Sequence, residues 1–217
     1  VGDSTGGYLV ESGHAMPPFE DFWNQFRETL IQAWTEAKIE WSIVSFAQVM
    51  QNFLLACGLD ETQFDIDAVL HAYNWNTVPG VVPFDDTLPV LEQLKNNGYK
   101  IGLVTNAMQP MWMRDVELRA YGILDYLDVR LTSGDVGFMK PHPFIYWRAL
   151  ELLEVQPEEA VFVGDRPAND IAGANEAGLT SVLMSPPHLE RELDGVRPNY
   201  TISNLTALLP ILEQLEG

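Results

Sequence analysis

Between residues 17 and 78 the apolar positions recur at intervals of three and four. Phe19, Phe22, Trp23, Phe26, Leu30 and Trp34 fall on one face of a helix and make it strongly aromatic. The spacing predicts a second helix over 42–57, with Ile43, Phe46, Val49, Met50, Phe53 and Leu54 inward and Gly58 as its stop. A third starts near Asp60 and carries Phe64, Ile66, Val69, Leu70 and Tyr73, until Pro79-Gly80 breaks the pattern. The aromatic stripe reads first as the core of an all-helical segment, with Trp23, Phe26 and Trp34 as alternative lining for an entrance.

After Pro83 the rhythm changes. Asp86-Thr87 start a helix with Leu88, Leu91 and Leu94 inward, and apolar runs at 99–105, 129–133, 160–164, 180–184 and around 200–202 read as short buried strands. Between them, Pro110 and Pro143 open helices, the second with Ile145, Ala149 and Leu152 inward. Pro167 sits at an early helical position, with Ile171 and Ala174 on one face and Gly178 as the stop; a last helix is expected over 205–215. Strands alternating with helices predict an α/β fold: a doubly wound parallel sheet covered on both faces. Residues 1–16, rich in Gly, Ser and Thr, contain no strand of useful length.

Charge narrows the function. The 217 residues carry 31 Asp plus Glu against 12 Lys plus Arg, a formal charge of −19. Such a surface repels phosphate backbones and anionic lipid, which argues against nucleic-acid and membrane partners. It also means that an anionic substrate needs a local cation. The single Cys57 excludes an intramolecular disulfide and fits a cytoplasmic location. No apolar run reaches membrane-spanning length, and no signal peptide is visible.

Three strand exits carry suggestive polar groups. In parallel sheets, ligands bind beyond the carboxyl ends of the strands. Gly164-Asp165 ends one strand and Asp170 follows five residues later; two carboxylates there suit a hard cation such as Mg²⁺. The alternative is a helix cap and a solvated first-turn acid. Thr105-Asn106 ends another strand, where a hydroxyl and an amide can donate to a phosphoryl oxygen. Lys140 lies between Gly137 and Pro143, in a loop stiffened by Pro141 and Pro143, which holds its ammonium near one spot.

The text Ile101-Gly-Leu-Val-Thr105-Asn106, then Met139-Lys140-Pro141, then Gly164-Asp165 with Asp170, resembles the second, third and fourth motifs of the haloacid dehalogenase (HAD) superfamily of hydrolases. Residues 17–78 resemble its small α-helical cap, inserted after the first motif. The resemblance implies a Rossmann-like core domain from 1–16 and 79–217 with 17–78 as cap subdomain. It also implies a Mg²⁺-dependent phosphatase for a small phosphorylated substrate, working through an aspartyl-phosphate. Thr105 would bind the phosphoryl group, Lys140 would orient it, Asp165 would ligate Mg²⁺, and Asp170 would assist the metal and position Lys140. Asn106 would bind substrate. The departure lies in the first motif, where only Val1-Gly2 precede Asp3. In one register Asp3 is the nucleophile and a metal ligand. In the other, favoured one, nucleophile and strand lie upstream of Val1, because a sheet without its central strand leaves backbone groups unpaired. The alternatives are a metal-independent dehalogenase of the same family and a non-catalytic interaction protein that keeps the fold. The four His residues show no metal-ligand spacing.

Overall fold

The computed structural model describes residues 3–11, 13–14, 18–189 and 191–216; the side chains of Asp3, Ser4 and Phe19 also lie outside the described residues. Four α-helices come first: α1 (Asp3–Glu11), α2 (Phe19–Glu40), α3 (Phe46–Ala56) and α4 (Ile66–Ala72). Local chemistry starts each of the later two. Ser45 Oγ accepts from the Gln48 amide ahead of α3, and Asp65 accepts from the Asp67 amide ahead of α4. Between them Asp60 and Gln63 form a capping box around the 3₁₀ turn Glu61–Gln63, so the expected third helix is two short pieces.

The aromatic stripe is core. Phe26 is fully buried, with Phe46 at 5.6 Å and Phe53 at 5.3 Å between ring centroids. Phe22, Val49, Met50, Leu54, Val69 and Leu70 complete this centre, and Trp23, Leu30 and Trp34 pack at its margin. Burial pushes the Tyr73 hydroxyl up to about 12. Phe26→Ala is expected to lower the unfolding free energy by about 3–5 kcal/mol, read from urea denaturation. A loss below about 1 kcal/mol would mean that this cluster is loosely packed.

Among the described residues of the first sixteen, helix α1 departs from expectation. This segment was placed with the α/β layer, yet α1 packs on α2 and α4, and its Leu9 is buried in the helical cluster. Its Thr5 and Leu9 stand one turn apart and both are buried.

The α/β part follows as α5 (Thr87–Asn96), β1 (Gly102–Thr105), α6 (Met111–Ala120), β2 (Val129–Thr132), α7 (Ser133–Val136), α8 (Pro143–Leu153), β3 (Val161–Gly164), a π-turn (Pro167–Ile171), α9 (Ala172–Ala177), β4 (Thr180–Met184), β5 (Tyr200–Ile202) and α10 (Leu209–Glu216). All strand pairs are parallel: β1 with β2, and β3 with β4 with β5. Helices α5 and α10 cover one face through Val90, Leu94 and Leu212, packed against Val182, Met184 and Ile202. Helices α8 and α9 cover the other through Ile145, Tyr146, Leu150 and Ala174, and Val104 of β1 packs there together with Phe162 of β3. Two helical faces are rotated from the expected ones. Leu88 and Leu152 are exposed, and Val90 and Leu150 take the inward positions. Asp86 occupies the N-cap position of α5, but its carboxylate accepts from the Thr206 amide and hydroxyl, tying α5 to the segment before α10.

Strand β4, paired on both sides, is almost wholly buried, whereas among the described residues β1 and β3 are each paired on one side, β3 half-buried throughout and β1 from Leu103 on. The helical unit joins the α/β part at the segments that follow β1 and β2. The Phe46 amide donates to Met108 O, Ile43 to Gly137 O and Met139 to Trp41 O, and Met108, Met113 and Met139 enter the helical core.

Candidate active site

The carboxyl ends of β1, β2 and β3 open toward the segment 137–141, the junction with the helical unit. Turns at these ends are locked to each other. Ser133 Oγ donates to Ala107 O and accepts from the Ala107 amide, while the Gly134 amide donates to the same carbonyl. A Cβ on Gly134 would stand 2.1 Å from Met108 O, so only glycine allows these two turns to touch.

Lys140 is held by its backbone and by its head group. Its amide donates to Asn106 Oδ1 at 2.7 Å, and its carbonyl accepts from Asn106 Nδ2 at 2.9 Å and Asn169 Nδ2 at 2.8 Å. The ammonium donates to Val104 O at 2.9 Å and lies 2.7 Å from Asp170 Oδ1, with the Phe162 ring 5.4 Å away. The side chains of this pair are 12% and 5% exposed, for Lys140 and Asp170 respectively. Withdrawal of both charges from water carries a large desolvation cost, offset here by the hydrogen bonds around them.

Asp170 is built into the backbone of the β3 exit. Its Oδ2 accepts from the Arg166 amide at 2.9 Å, and its own amide donates to Arg166 O at 2.7 Å. The Tyr146 hydroxyl, buried beneath, donates to Asn169 O at 2.6 Å; burial and the nearby Asp170 charge raise its pKa. Lys140 reaches Asp170 Oδ1 off the hydrogen-bonding axis, so this buried oxygen has no aligned donor. Asp165 is different. It is 38% exposed, and its Oδ2 accepts from Arg191 Nη2 at 2.8 Å, an arginine on the β4–β5 connection.

Of the residues singled out from sequence, Lys140, Asp170 and Asn106 meet directly, and Thr105 is the residue after the Val104 carbonyl that Lys140 grips. Asp165 lies at the same exit but turns to Arg191. Asn106 was expected to offer its amide to substrate; both ends of that amide instead engage the Lys140 backbone. Asp3 opens helix α1, within the helical unit, and its side chain lies outside the described residues. Sequence reasoning missed Asn169, Tyr146 and Arg191. Asn169 sat inside the motif text, whereas nothing local marks Arg191, 26 residues from its partner.

For Mg²⁺ the donor set is partial and suitable. No group of three or more His, Cys, Asp or Glu occurs among the described residues in an arrangement that could hold a metal ion. Magnesium typically binds through one or two carboxylates and keeps waters and phosphate oxygens as its other ligands. A half-exposed carboxylate at Asp165 fits that habit, while Asp170 Oδ1, buried and 2.7 Å from the Lys140 ammonium, would reach a metal only through a bridging water.

Known proteins are similar to this chain in sequence and in fold. A family model for haloacid dehalogenase-like hydrolases matches residues 22–184. Pyrophosphatase PpaX of Bacillus mycoides (strain KBAB4) is 36% identical over 139 residues, which span 63% of this chain and 63% of that protein. The glyceraldehyde 3-phosphate phosphatase of Methanopyrus kandleri is 33% identical over 162 residues, 73% of this chain and 68% of that one. Among solved structures, a 2-haloacid dehalogenase from Pseudomonas syringae pv. tomato DC3000 superposes with a TM-score of 0.64 at 26% identity, covering 97% of this chain and 88% of its own. A HAD phosphatase from Thermococcus onnurineus gives 0.56 at 30% identity, with 89% and 79% covered. With three quarters of its length inside the matched region and its strand-end residues in the expected order, this chain belongs to the haloacid dehalogenase-like hydrolase family.

Proposed function

We propose that this chain carries the core and cap of a Mg²⁺-dependent phosphatase for small phosphorylated metabolites, working through an aspartyl-phosphate. The observation that carries the reading is the buried Lys140–Asp170 pair, with its ammonium also fixed to the β1 carbonyl at Val104. A lysine pinned at a strand exit supplies a fixed positive charge where a transferring phosphoryl group accumulates negative charge. The two relatives named as a phosphatase and a pyrophosphatase favour this branch over dehalogenation. So do the two carboxylates at the β3 exit, because a dehalogenase needs no metal. Bound there, Mg²⁺ would neutralise charge on the phosphoryl oxygens. Thr105 would donate its hydroxyl to one of those oxygens, Lys140 would orient the group, and Asp170 would hold Lys140 in place. The site lies against the helical unit, which would serve as the cap that limits access to small molecules.

The nucleophile reading turns on α1. The register that makes Asp3 the nucleophile needs it at the carboxyl end of a strand, and helix α1 packs with α2 and α4 instead. The one-sided pairing of β1 and β3 agrees with the other register, in which the first-motif strand stands between them. In it a carboxylate oxygen bonds to phosphorus as the ester P–O bond breaks, and water then cleaves the acyl phosphate.

Hydrolysis of p-nitrophenyl phosphate tests the reading. In a protein that includes the upstream first-motif strand, turnover should require Mg²⁺, disappear with EDTA and survive Asp3→Ala, whereas residues 1–217 alone should not turn over. Turnover abolished by Asp3→Ala would overturn the register. Halide release from 2-chloropropionate in EDTA, with no phosphatase activity, would overturn the phosphatase. The cytoplasmic location belongs to the same proposal; the structure adds that no described helix is long and apolar enough to cross a membrane.

A further inference from the structure

Among the described ion pairs, two link a basic side chain to a carboxylate of the β3 exit, and they differ in kind. Lys140 and Asp170 are buried and cross-braced. Arg191 and Asp165 are both 38% exposed and share a single 2.8 Å contact. The guanidinium has five N–H donors, and this contact uses one of them. Arg191 arrives from the β4–β5 connection, far along the chain, and lands on the carboxylate that the metal reading needs most. An exposed pair of this type is worth little and exchanges readily. A divalent cation on the same carboxylate would be repelled by the guanidinium, modestly at this exposed site.

We propose that Arg191 is a displaceable counterion of Asp165 that competes with a divalent cation for this carboxylate. The proposal rests on Asp165 as a metal ligand and adds a competitor supplied by this chain. It makes Arg191 a positioning residue that weakens resting metal affinity. A half-exposed carboxylate in a chain of net charge −19 would otherwise attract divalent ions whether or not an anionic substrate is present. Once released, the guanidinium stands beside the site with all its donors available, and an anionic substrate would pair with it. Metal and substrate would then bind with positive coupling, each easing the other.

Calorimetric titration of the protein with MgCl₂, and with MnCl₂ as a second probe, gives a readout independent of turnover. Arg191→Gln should tighten divalent-ion binding by roughly threefold to tenfold, the size expected from deleting an exposed competing pair and its repulsion. Arg191→Lys should stay near the parent, since it keeps the charge. The Arg191→Gln advantage should shrink at about 1 M KCl, where the Debye length falls to about 3 Å. Added inorganic phosphate should tighten Mg²⁺ binding in the parent more than in Arg191→Gln. Equal affinity of parent and Arg191→Gln, with binding lost in Asp165→Asn, would overturn the counterion and leave the metal site intact. Binding unaffected by Asp165→Asn would overturn the metal assignment itself, and the counterion with it.

Discussion

Lys140→Met should lower the unfolding free energy by about 3–5 kcal/mol and, in a protein that includes the first-motif strand, cut p-nitrophenyl phosphate turnover by about 10²–10³-fold. The two losses have separate causes. Methionine keeps most of the side-chain volume, so packing against Phe162 changes little. What it removes is the positive partner of Asp170, which then remains a buried carboxylate with only the Arg166 amide as donor. It also leaves the Val104 carbonyl without its donor. The variant Lys140→Met/Asp170→Asn should regain much of the stability, because an amide in place of the carboxylate has no charge to compensate. It should regain none of the activity, because the fixed cation is still missing. Urea denaturation of the two single variants and the double one gives the coupling energy of the pair. A Lys140→Met protein as stable as its parent would show that the pair is solvated. Parallel recovery of stability and turnover in the double variant would make Lys140 a structural residue alone.

Sequence patterning captured the kinds of element well because burial repeats with the geometry of helix and strand. β4 and β5 lie over 180–184 and 200–202 as expected, and Gly178 ends α9 in the left-handed conformation at φ 89°. The misses have physical origins. Leu88 and Leu152 are apolar at helical spacing, but which edge of a wide stripe faces inward depends on the neighbouring layer, and Val90 and Leu150 fit it better. Helix α1 was hidden by Gly6 and Gly7, poor helix formers in isolation. Its burial of Leu9 against α2 and α4 supplies the tertiary stabilisation that local propensity lacks.

At the site, ordered motifs were enough to bring Lys140, Asp170 and the β1 exit together, since each lies on the turn that its own strand aims. Roles within the motif were less readable. Asn106 and Asn169 are both amides near strand ends, and only the folded backbone reveals that both grip the Lys140 segment. Arg191 was out of reach for a different reason. Its partner is set by how the β4–β5 connection folds back over β3, which no local spacing encodes.

Gly164→Ala is expected to cost about 2–4 kcal/mol and to weaken Mg²⁺ binding at least about tenfold, through a single added methyl. A Cβ there would stand 2.3 Å from Asp170 Cβ, 2.5 Å from Cγ and 2.6 Å from Oδ2. Those distances lie far inside van der Waals contact, and the short Asp170 side chain has no free end with which to yield. Its Oδ2 is held by the Arg166 amide and its Oδ1 by the Lys140 charge. Either the carboxylate swings out, losing both partners, or the β3 exit shifts and carries Asp165 with it. Both routes spoil the paired carboxylates. Gly7→Ala is the control: nothing lies within 4 Å of its added Cβ, and it sits inside helix α1. Alanine there should stabilise by up to about 1 kcal/mol and leave metal binding unchanged. Urea denaturation and MgCl₂ titration of both variants check the pair of expectations. If Gly164→Ala keeps its stability and its metal affinity, Asp170 does not rest on the β3 backbone, and the geometry that positions Lys140 is wrong.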